Sequence, residues 1–241
     1  MPRGQPDFGM YAAETYLAGM SDMAELAVRL GSIVIFDRRG KVVDLDDFED
    51  ALFKWVTVNV GASHSLFSSA SAKSGTQSII QHVGGVGDTP TYMERGFTLL
   101  PSKRLGVEIA YAKPSTTAYL LIRLYRAITT SHAWGQIKLD FNAKKVYYQD
   151  SAGNYQEITD ITTPSNFPFV YYPIKFVVDF DTGFYERLIF EGVEHDLSAY
   201  ALYSVIIGSV PGVQTRITWT RIGGAGSDIY IDDYILTMEE P

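Results

Sequence analysis

The sequence predicts an all-β protein built from antiparallel strands, and three observations support this fold class. From Ser32 onward, short runs rich in β-branched and aromatic residues alternate with turn-forming residues. Helical patterns of roughly 10 to 15 residues, which parallel βαβ units require, do not separate these runs. The length of 241 residues also suits one large antiparallel sandwich of residues 32–241.

The first 31 residues differ from the rest and predict an N-terminal arm with one short helix. In the stretch SDMAELAVRLGS, Asp22 and Glu25 have the spacing of a capping box, and Gly31 suits the end of a helix. The apolar stripe of this helix comprises Met23, Leu26, Ala27 and Leu30. A helix of this length is not stable alone, so the stripe is expected to pack on its own domain or on a neighbouring subunit.

The runs after residue 31 predict hairpins and a meander. SIVIFD and KVVDL form one predicted hairpin, and IKLDF, VYYQD and YQEI form a meander with a turn at residues 152–154. KFVVDFD, FYERLIF and VEHDL predict two more hairpins, with turns at residues 182–183 and 191–192. Further predicted strands are RLGVEIAYA, AYLLIRLYRA, LYSVIIGS and TRITWTRIG.

Composition narrows the function classes. The chain is 46% hydrophobic and 20% charged, which is typical of a globular protein. Its net charge of −8 argues against nucleic acid as a partner, and the lack of cysteine excludes disulfides, thiolate catalysis and cysteine-ligated zinc. The N-terminus lacks the apolar core of a cleaved signal peptide, and no run reaches the roughly 18 apolar residues of a membrane helix. We therefore expect a soluble protein that does not insert into membranes and is not exported by a cleaved signal.

Two stretches place acids within apolar, aromatic sequence. VVDLDDFEDALFKW carries Asp46, Asp47, Glu49 and Asp50, and SDIYIDDYIL carries Asp232 beside Asp233. A strand with one dry face does not need two neighbouring aspartates, since alternation sends them to opposite faces. The acids are therefore predicted either to hold a cation or to serve as edge charges that prevent sheets from aggregating.

Three segments resemble jelly-roll carbohydrate-binding modules of the galactose-binding-like type. They are DDFEDALFKW, AKSGTQSII and DIYIDDYIL, which match the opening strand, the small-Gly-small turn and the closing strand of those modules. The central VVDFDTGFYERLIFEG is more similar to laminin-G or concanavalin-like sandwiches, and Ala51 stands where the modules usually have glycine. The resemblance implies a two-sheet jelly roll for residues 32–241, with residues 46–50 beside residues 229–236.

The same resemblance implies a structural calcium between the first and last strands. Glu49 matches the glutamate of the opening strand, and Asp232 matches the aspartate of the closing strand. Carbonyl groups near Lys73 and Gly75 match the intervening turn. Calcium takes six to eight oxygen ligands in flexible geometry, which suits this set.

Aromatic residues are the predicted ligand platform. The candidates for stacking on a sugar ring are Trp134, Tyr171, Tyr172 and Trp219, although alternation leaves the two tryptophans equally suited to core or surface. Trp55 matches a core tryptophan of the modules and is interpreted as structural. Catalysis is not predicted: Asp179, Asp181 and Glu186 flank a turn and are explained equally well by a solvated face, so the chain is expected not to be an enzyme.

The apolar N-terminal arm leads to the predicted role. The arm and sandwich resemble uncharacterised proteins of prokaryotic viruses and their hosts, which implies a non-catalytic subunit of a virion or a cell surface (capsid decoration, minor capsid, tail or adhesin). Its partners would be copies of itself, other virion subunits and glycans. The predicted assembly contacts are Phe8, Tyr11, Tyr16, Leu17, Met23, Leu26 and Leu30. The alternative is a stand-alone or enzyme-attached carbohydrate-binding module, followed by a glycoside hydrolase.

Overall fold

The computed structural model describes residues 37, 39–84, 90–112, 117–162, 169–207, 210–222 and 226–241. The predicted arm, its helix and its assembly contacts lie outside these residues, as does the SIVIFD strand. Residues 39–241 form one compact unit. Among the residues that the structure describes, no helix is long and apolar enough to span a membrane, and every regular element is a strand.

Two antiparallel sheets make up this unit. Sheet A contains β1 (Lys41–Asp46), β3 (His64–Ser68), β4 (Ser78–Val83), β6 (Arg104–Ala112), β11 (Tyr172–Asp179), β12 (Phe184–Phe190), β13 (Val193–Asp196) and β16 (Ser227–Met238). Sheet B contains β2 (Val56–Val58), β5 (Thr91–Phe97), β7 (Ala118–Ile128), β8 (Ser131–Asp140), β9 (Lys145–Gln149), β10 (Tyr155–Asp160), β14 (Tyr203–Val205) and β15 (Gly212–Arg221).

The order of strands brings the two ends of the sandwich together. Sheet A runs β13-β12-β11-β6-β16-β4-β3, and β1 pairs with the second half of β16, so that Asp46 lies opposite Tyr234. The resemblance placed residues 46–50 beside residues 229–236; of that segment only Asp46 pairs with β16, and residues 47–50 follow the end of β1. Sheet B runs β10-β9-β8-β7-β15-β5-β2, with β14 added beside the start of β8. The antiparallel two-sheet sandwich predicted from the sequence is confirmed.

Alternation along the strands builds the core between the sheets. In β7, Leu120, Ile122 and Leu124 are buried, whereas the residues between them are half-exposed. Sheet A contributes an equally apolar inner row, which includes Ile79, Val107, Phe176 and Leu236. At roughly 1.5–3 kcal/mol for each fully buried aliphatic or aromatic side chain, this core is the main source of stability. One face of each sheet is left outside the core.

The predicted hairpin turns also occur. Gly183 has φ +78° between β11 and β12, and Gly192 has φ +76° between β12 and β13. Both values lie in the left-handed region, which glycine enters without a steric penalty. The turn at 152–154 uses Gly153 in the same way, with φ +88°.

Candidate functional site

The paired aspartates in β16 occupy a β-bulge. The register between β16 and β6 shifts between Asp232 and Ile235, and Asp233 has φ +47°, in the left-handed region. An extra residue at a bulge interrupts strand alternation and redirects neighbouring side chains. Asp232 is fully buried, whereas Asp233 is partly exposed and forms an ion pair with Lys73, 2.5 Å between Nζ and Oδ2.

Asp232 holds the turn at residues 73–77 through amide hydrogen bonds. Its carboxylate accepts from the backbone N–H of Lys73 at 2.7 Å, of Ser74 at 3.3 Å and of Asp233 at 2.8 Å. Burial, reinforced by the neighbouring charge of Asp233, raises the pKa of Asp232 to about 7, and the three amide bonds offset part of this rise.

Glu49 holds the other side of the same turn. Its carboxylate accepts from the N–H groups of Thr76 and Gln77, both at 2.8 Å, and from the Thr76 hydroxyl at 2.8 Å. These hydrogen bonds lower the pKa of Glu49, the bond from Gln77 most of all. Gly75 has φ +65°, and a Cβ atom there would lie 2.3 Å from Cδ of Glu49. The turn therefore requires glycine both for its backbone and for its contact with the carboxylate.

These contacts bear on the predicted calcium. In the described residues, the turn presents N–H donors to Glu49 and Asp232, and no group of three or more acidic or histidine residues is arranged to hold a metal ion. Calcium requires oxygen ligands, so these hydrogen bonds do not form a calcium-ligand set. The two acids are explained as anchors of the turn, and the calcium stays a prediction.

The upstream acids surround an arginine between the sheets. Arg95 of β5 donates to Asp44 and Asp46 of β1, with Nη2–Oδ1 and Nη1–Oδ2 distances of 2.7 Å each. The Trp55 indole N–H also donates to Asp46, at 3.0 Å. Trp55 is buried, as its interpretation as a core residue required. Burial raises the pKa of Asp44, and the charge of Arg95 opposes the rise. This ion cluster links sheet A to sheet B.

The outer face of sheet B carries a different set, which we call the aromatic face. Its side chains come from alternate positions of neighbouring strands, because strands in register place residues of equal parity on the same side. The residues are Tyr92, Glu94, Tyr119, Arg123, Tyr125, His132, Trp134, Gln136, Lys138, Tyr147, Gln149, Tyr155, Tyr203, Gln214 and Arg216.

Trp134 lies in the middle of one aromatic group on this face. Its indole N–H donates to the Gln149 side chain at 2.8 Å, which fixes the plane of the ring. The Tyr203 ring lies 4.4 Å from it, centroid to centroid, and the Tyr125 ring 6.1 Å. Trp134 remains partly exposed. A depression of about 510 Å³ adjoins this group and is lined in part by Tyr125 and Gln214.

Lys138 forms the centre of a second aromatic group. Its ammonium nitrogen lies 4.7 Å from the Tyr119 ring centroid and 5.3 Å from the centroids of Tyr147 and Tyr155. It also forms an ion pair with Asp140 at 2.8 Å. Cation–π contacts of this kind hold the rings around the ammonium group. The face therefore presents fixed rings separated by hydrogen-bonding groups.

The predicted ligand residues are not brought together. Trp134 belongs to the aromatic face, but Trp219 is fully buried and donates its indole N–H to the Ser227 carbonyl at 3.0 Å, so it is a core residue. Tyr172 lies at the start of β11 in sheet A with its ring 6.0 Å from that of Tyr111, and the Tyr171 hydroxyl contacts Ser78 at 3.3 Å. Of the four candidates, only Trp134 lies on the aromatic face.

Sequence reasoning missed most of the aromatic face. The run AYLLIRLYRA had a strand pattern in which Tyr119, Arg123 and Tyr125 share a parity opposite to Leu120, Ile122 and Leu124. A search for polar and aromatic residues at alternate positions of this strand would have found one row of the face. The assembly of the other rows depends on strand order, which alternation does not encode.

Of the acids near the β11–β12 turn, Asp179 differs from the predicted solvated face, whereas Asp181 agrees with it. Asp179 is buried rather than solvated: it accepts from the Arg104 guanidinium at 3.1 Å and from the backbone N–H of Asp181 at 2.7 Å. Asp181 is exposed and pairs with Lys103. Asp179 acts in the turn because its side chain caps the N–H groups that follow it.

The fold is similar to that of solved structures. An endo-β-1,4-glucuronan lyase from the fungus Trichoderma reesei matches with a TM-score of 0.60 and 11% identity, over 82% of this chain and 96% of that chain. A protein of unknown function with a galectin-like fold from Bacillus subtilis matches with a TM-score of 0.51 and 10% identity, over 83% and 97%. A GlcNAcα1-4Gal-releasing endo-β-galactosidase from Clostridium perfringens matches with a TM-score of 0.50 and 7% identity, over 86% and 64%.

At these identities the likeness shows the fold, which is a jelly-roll β-sandwich. No protein-family model matches the sequence, and comparison with curated proteins gives no match. The jelly-roll resemblance inferred from the sequence is confirmed. The prediction of a non-catalytic protein is corrected: two of these three neighbours are enzymes, so the fold gives no ground for that prediction and it is withdrawn.

Proposed function

We propose that the chain binds a polysaccharide on the aromatic face of sheet B. The observation that carries the proposal is the group around Trp134, where a partly exposed indole is fixed by Gln149 and flanked by Tyr203 and Tyr125. Sugar rings bind to flat aromatic surfaces through their apolar faces, while neighbouring polar side chains bind the hydroxyl groups. The depression beside Tyr125 lies at the edge of this group and offers space for a further part of the ligand.

The fold supports this choice over the virion subunit predicted from the arm. The neighbours named for an activity act on glycans, namely glucuronan and a galactose-containing glycan. The assembly role depends on residues 1–31, which lie outside the described part, and it stays a prediction that native mass spectrometry of the intact chain can test.

The test is affinity electrophoresis of the full chain through gels that contain single soluble polysaccharides. We expect at least one polymer to retard the wild type, and Trp134→Ala to weaken that interaction about tenfold or more. Phe169→Ala is the matched control, because Phe169 is 70% exposed and lies outside the aromatic face. The chain length of each polymer is measured after incubation, since cleavage would establish an activity in addition to binding.

Two results would count against the proposal. One is the absence of retardation by any polymer in a panel of neutral and acidic polysaccharides. The other is retardation that Phe169→Ala weakens as much as Trp134→Ala, provided that both variants keep the thermal midpoint of the wild type.

A further inference from the structure

Arg123 differs from the other cations of the aromatic face in its partners. It lies on the central strand β7, opposite Gln136 of β8 and opposite Arg216 of β15. Its Nε donates to the Gln136 side-chain oxygen at 2.5 Å, and its guanidinium lies 4.9 Å from the Trp134 ring centroid. Among the residues that the structure describes, no carboxylate forms an ion pair with Arg123.

Arg216 provides the comparison within the same row. Its guanidinium donates to Glu94 through Nε at 2.9 Å, pairs with the same oxygen through Nη2 at 2.8 Å, and stacks on Tyr92 at 4.4 Å. Lys138 likewise has a carboxylate partner, Asp140. Within the described part of the chain, carboxylates therefore compensate these two cations, whereas the central Arg123 contacts a neutral amide and an aromatic ring.

This arrangement has an electrostatic cost. Two arginines directly opposite each other on neighbouring strands repel, and Glu94 offsets only one of the two charges. Arg123 is also half-buried, and this burial, followed by the charge of Arg216, lowers its pKa. Arginine remains protonated in proteins, so the repulsion between the two guanidinium groups destabilises the folded state unless an anion offsets it.

We propose that Arg123 binds the carboxylate of an acidic sugar unit, and that the polysaccharide of the proposed function is therefore a polyuronate. The outer nitrogens of a guanidinium form a planar fork that matches the two oxygens of a carboxylate. Trp134, which stacks on the same guanidinium, places a sugar-binding ring within one sugar unit of this fork. The exposed Tyr155 accepts a hydrogen bond from the buried Gln136 amide, which also holds Arg123, so the Tyr155 hydroxyl is placed to bind a hydroxyl group of the same unit. This inference rests on the proposed function, because it names the substrate class of the same face.

The experiment compares each polyuronate with its carboxyl-reduced form, which keeps the glycosidic linkage and loses the charge. The probes are polyglucuronate, polygalacturonate and alginate, each with its reduced counterpart, and binding to the full chain is measured by affinity electrophoresis and calorimetry. We expect the wild type to bind one polyuronate about tenfold or more tightly than its reduced form. Arg123→Leu should remove this preference and keep binding to the reduced polymer, because leucine retains an apolar contact beside Trp134.

Two further variants distinguish the contribution of the guanidinium fork to the binding preference from the contribution of net charge. Arg123→Lys keeps the charge without the fork and should retain only part of the preference. Lys103→Gln removes one positive charge at an exposed site away from the face and should leave the preference unchanged. A sulfated neutral polymer is the last probe, since binding that follows sulfate as readily as carboxylate would show a general anion site.

The outcomes distinguish this inference from the function on which it rests. If the wild type binds acidic and reduced polymers equally and Trp134→Ala abolishes both, the polyuronate inference is overturned and the proposed function stands. A preference for the polyuronate that persists in Arg123→Leu also overturns the inference. If no polymer of either kind binds, both proposals are wrong.

Discussion

At the scale of single residues, Gly75 determines the shape of the turn at residues 73–77. This turn is bound by Glu49, which follows β1, and by Asp232 of β16. The φ of +65° at Gly75 disfavours side chains, and its α-carbon faces the carboxylate of Glu49. Gly61 has nearly the same backbone angle, φ +63°, but an added Cβ atom there would meet no atom within 4 Å. An alanine at either position would strain the backbone, but only at position 75 would its Cβ atom also collide with a neighbouring side chain.

We expect Gly75→Ala to lower the free energy of unfolding by about 2 kcal/mol more than Gly61→Ala. Both variants bear the left-handed strain of roughly 1–2 kcal/mol, but only Gly75→Ala places a carbon against the side chain that binds the turn. Urea denaturation of both variants measures the difference. In a Glu49→Ala background the excess should shrink, since the collision partner is gone. Equal losses for the two alanine variants in the native background would contradict this account.

At the scale of elements, the Arg95 cluster joins strands of opposite sheets. Arg95 belongs to β5 of sheet B, and its carboxylate partners Asp44 and Asp46 belong to β1 of sheet A. Asp46 is 4% exposed, so removal of Arg95 would take away the nearest cation from a buried charge and leave Lys54, at 4.0 Å, as its remaining ionic partner. On the opposite face of β5, Glu94 forms a more exposed pair with Arg216.

Arg95→Met is expected to lower the free energy of unfolding by about 3–5 kcal/mol, because removing one member of a buried ion pair leaves the other charges buried without it. Arg216→Met, the matched control on the neighbouring strand, should cost no more than about 1 kcal/mol. Chemical denaturation measures both. Adding Asp44→Asn to Arg95→Met should recover part of the loss, and a further loss in that double variant would show that the cluster is not electrostatic in origin.

The elements also show what the sequence could predict. Alternation predicted strands at β7, at β15 and over the second half of β8, because burial of one face leaves a period of two in the sequence. It could not predict the bulge at Asp232–Asp233, since a bulge depends on the partner strands β6 and β1. The position of Trp219 in the core and of Trp134 outside it likewise depended on strand pairing, and so did the meeting of Arg123 with Arg216.

At the scale of the whole molecule, protonation of the buried Asp232 in β16 makes the free energy of unfolding depend on pH. Its pKa in the folded state is raised from 3.8 to about 7, whereas the unfolded chain has the ordinary value. Between these values the folded state holds a proton that the unfolded state has released. The contribution of Asp232 therefore makes stability fall as pH rises through this window and level off above it, with a slope of at most about 1.4 kcal/mol per pH unit.

Asp232→Asn cannot ionise and should lose this slope. In chelator, we expect the stability of the variant relative to wild type to increase between pH about 5 and pH about 8, whatever the fixed cost of replacing one carboxylate oxygen by an amide. Thermal or urea unfolding across that range gives the comparison. Asp160→Asn is the control, because it removes an exposed carboxylate of β10 whose ionic partner is a lysine. Parallel pH profiles for wild type and Asp232→Asn would contradict the assignment.

The same measurement tests the calcium predicted between Glu49 and Asp232. A bound cation would keep Asp232 ionised in the folded state, because the ion stabilises the charged carboxylate that burial disfavours. Adding calcium to the metal-free wild type would then raise the unfolding midpoint, remove the pH slope of Asp232, and have neither effect on Asp232→Asn. If calcium changes neither the midpoint nor the slope, the predicted ion is wrong, and the amide hydrogen bonds from residues 73–77 are what hold the two carboxylates in place.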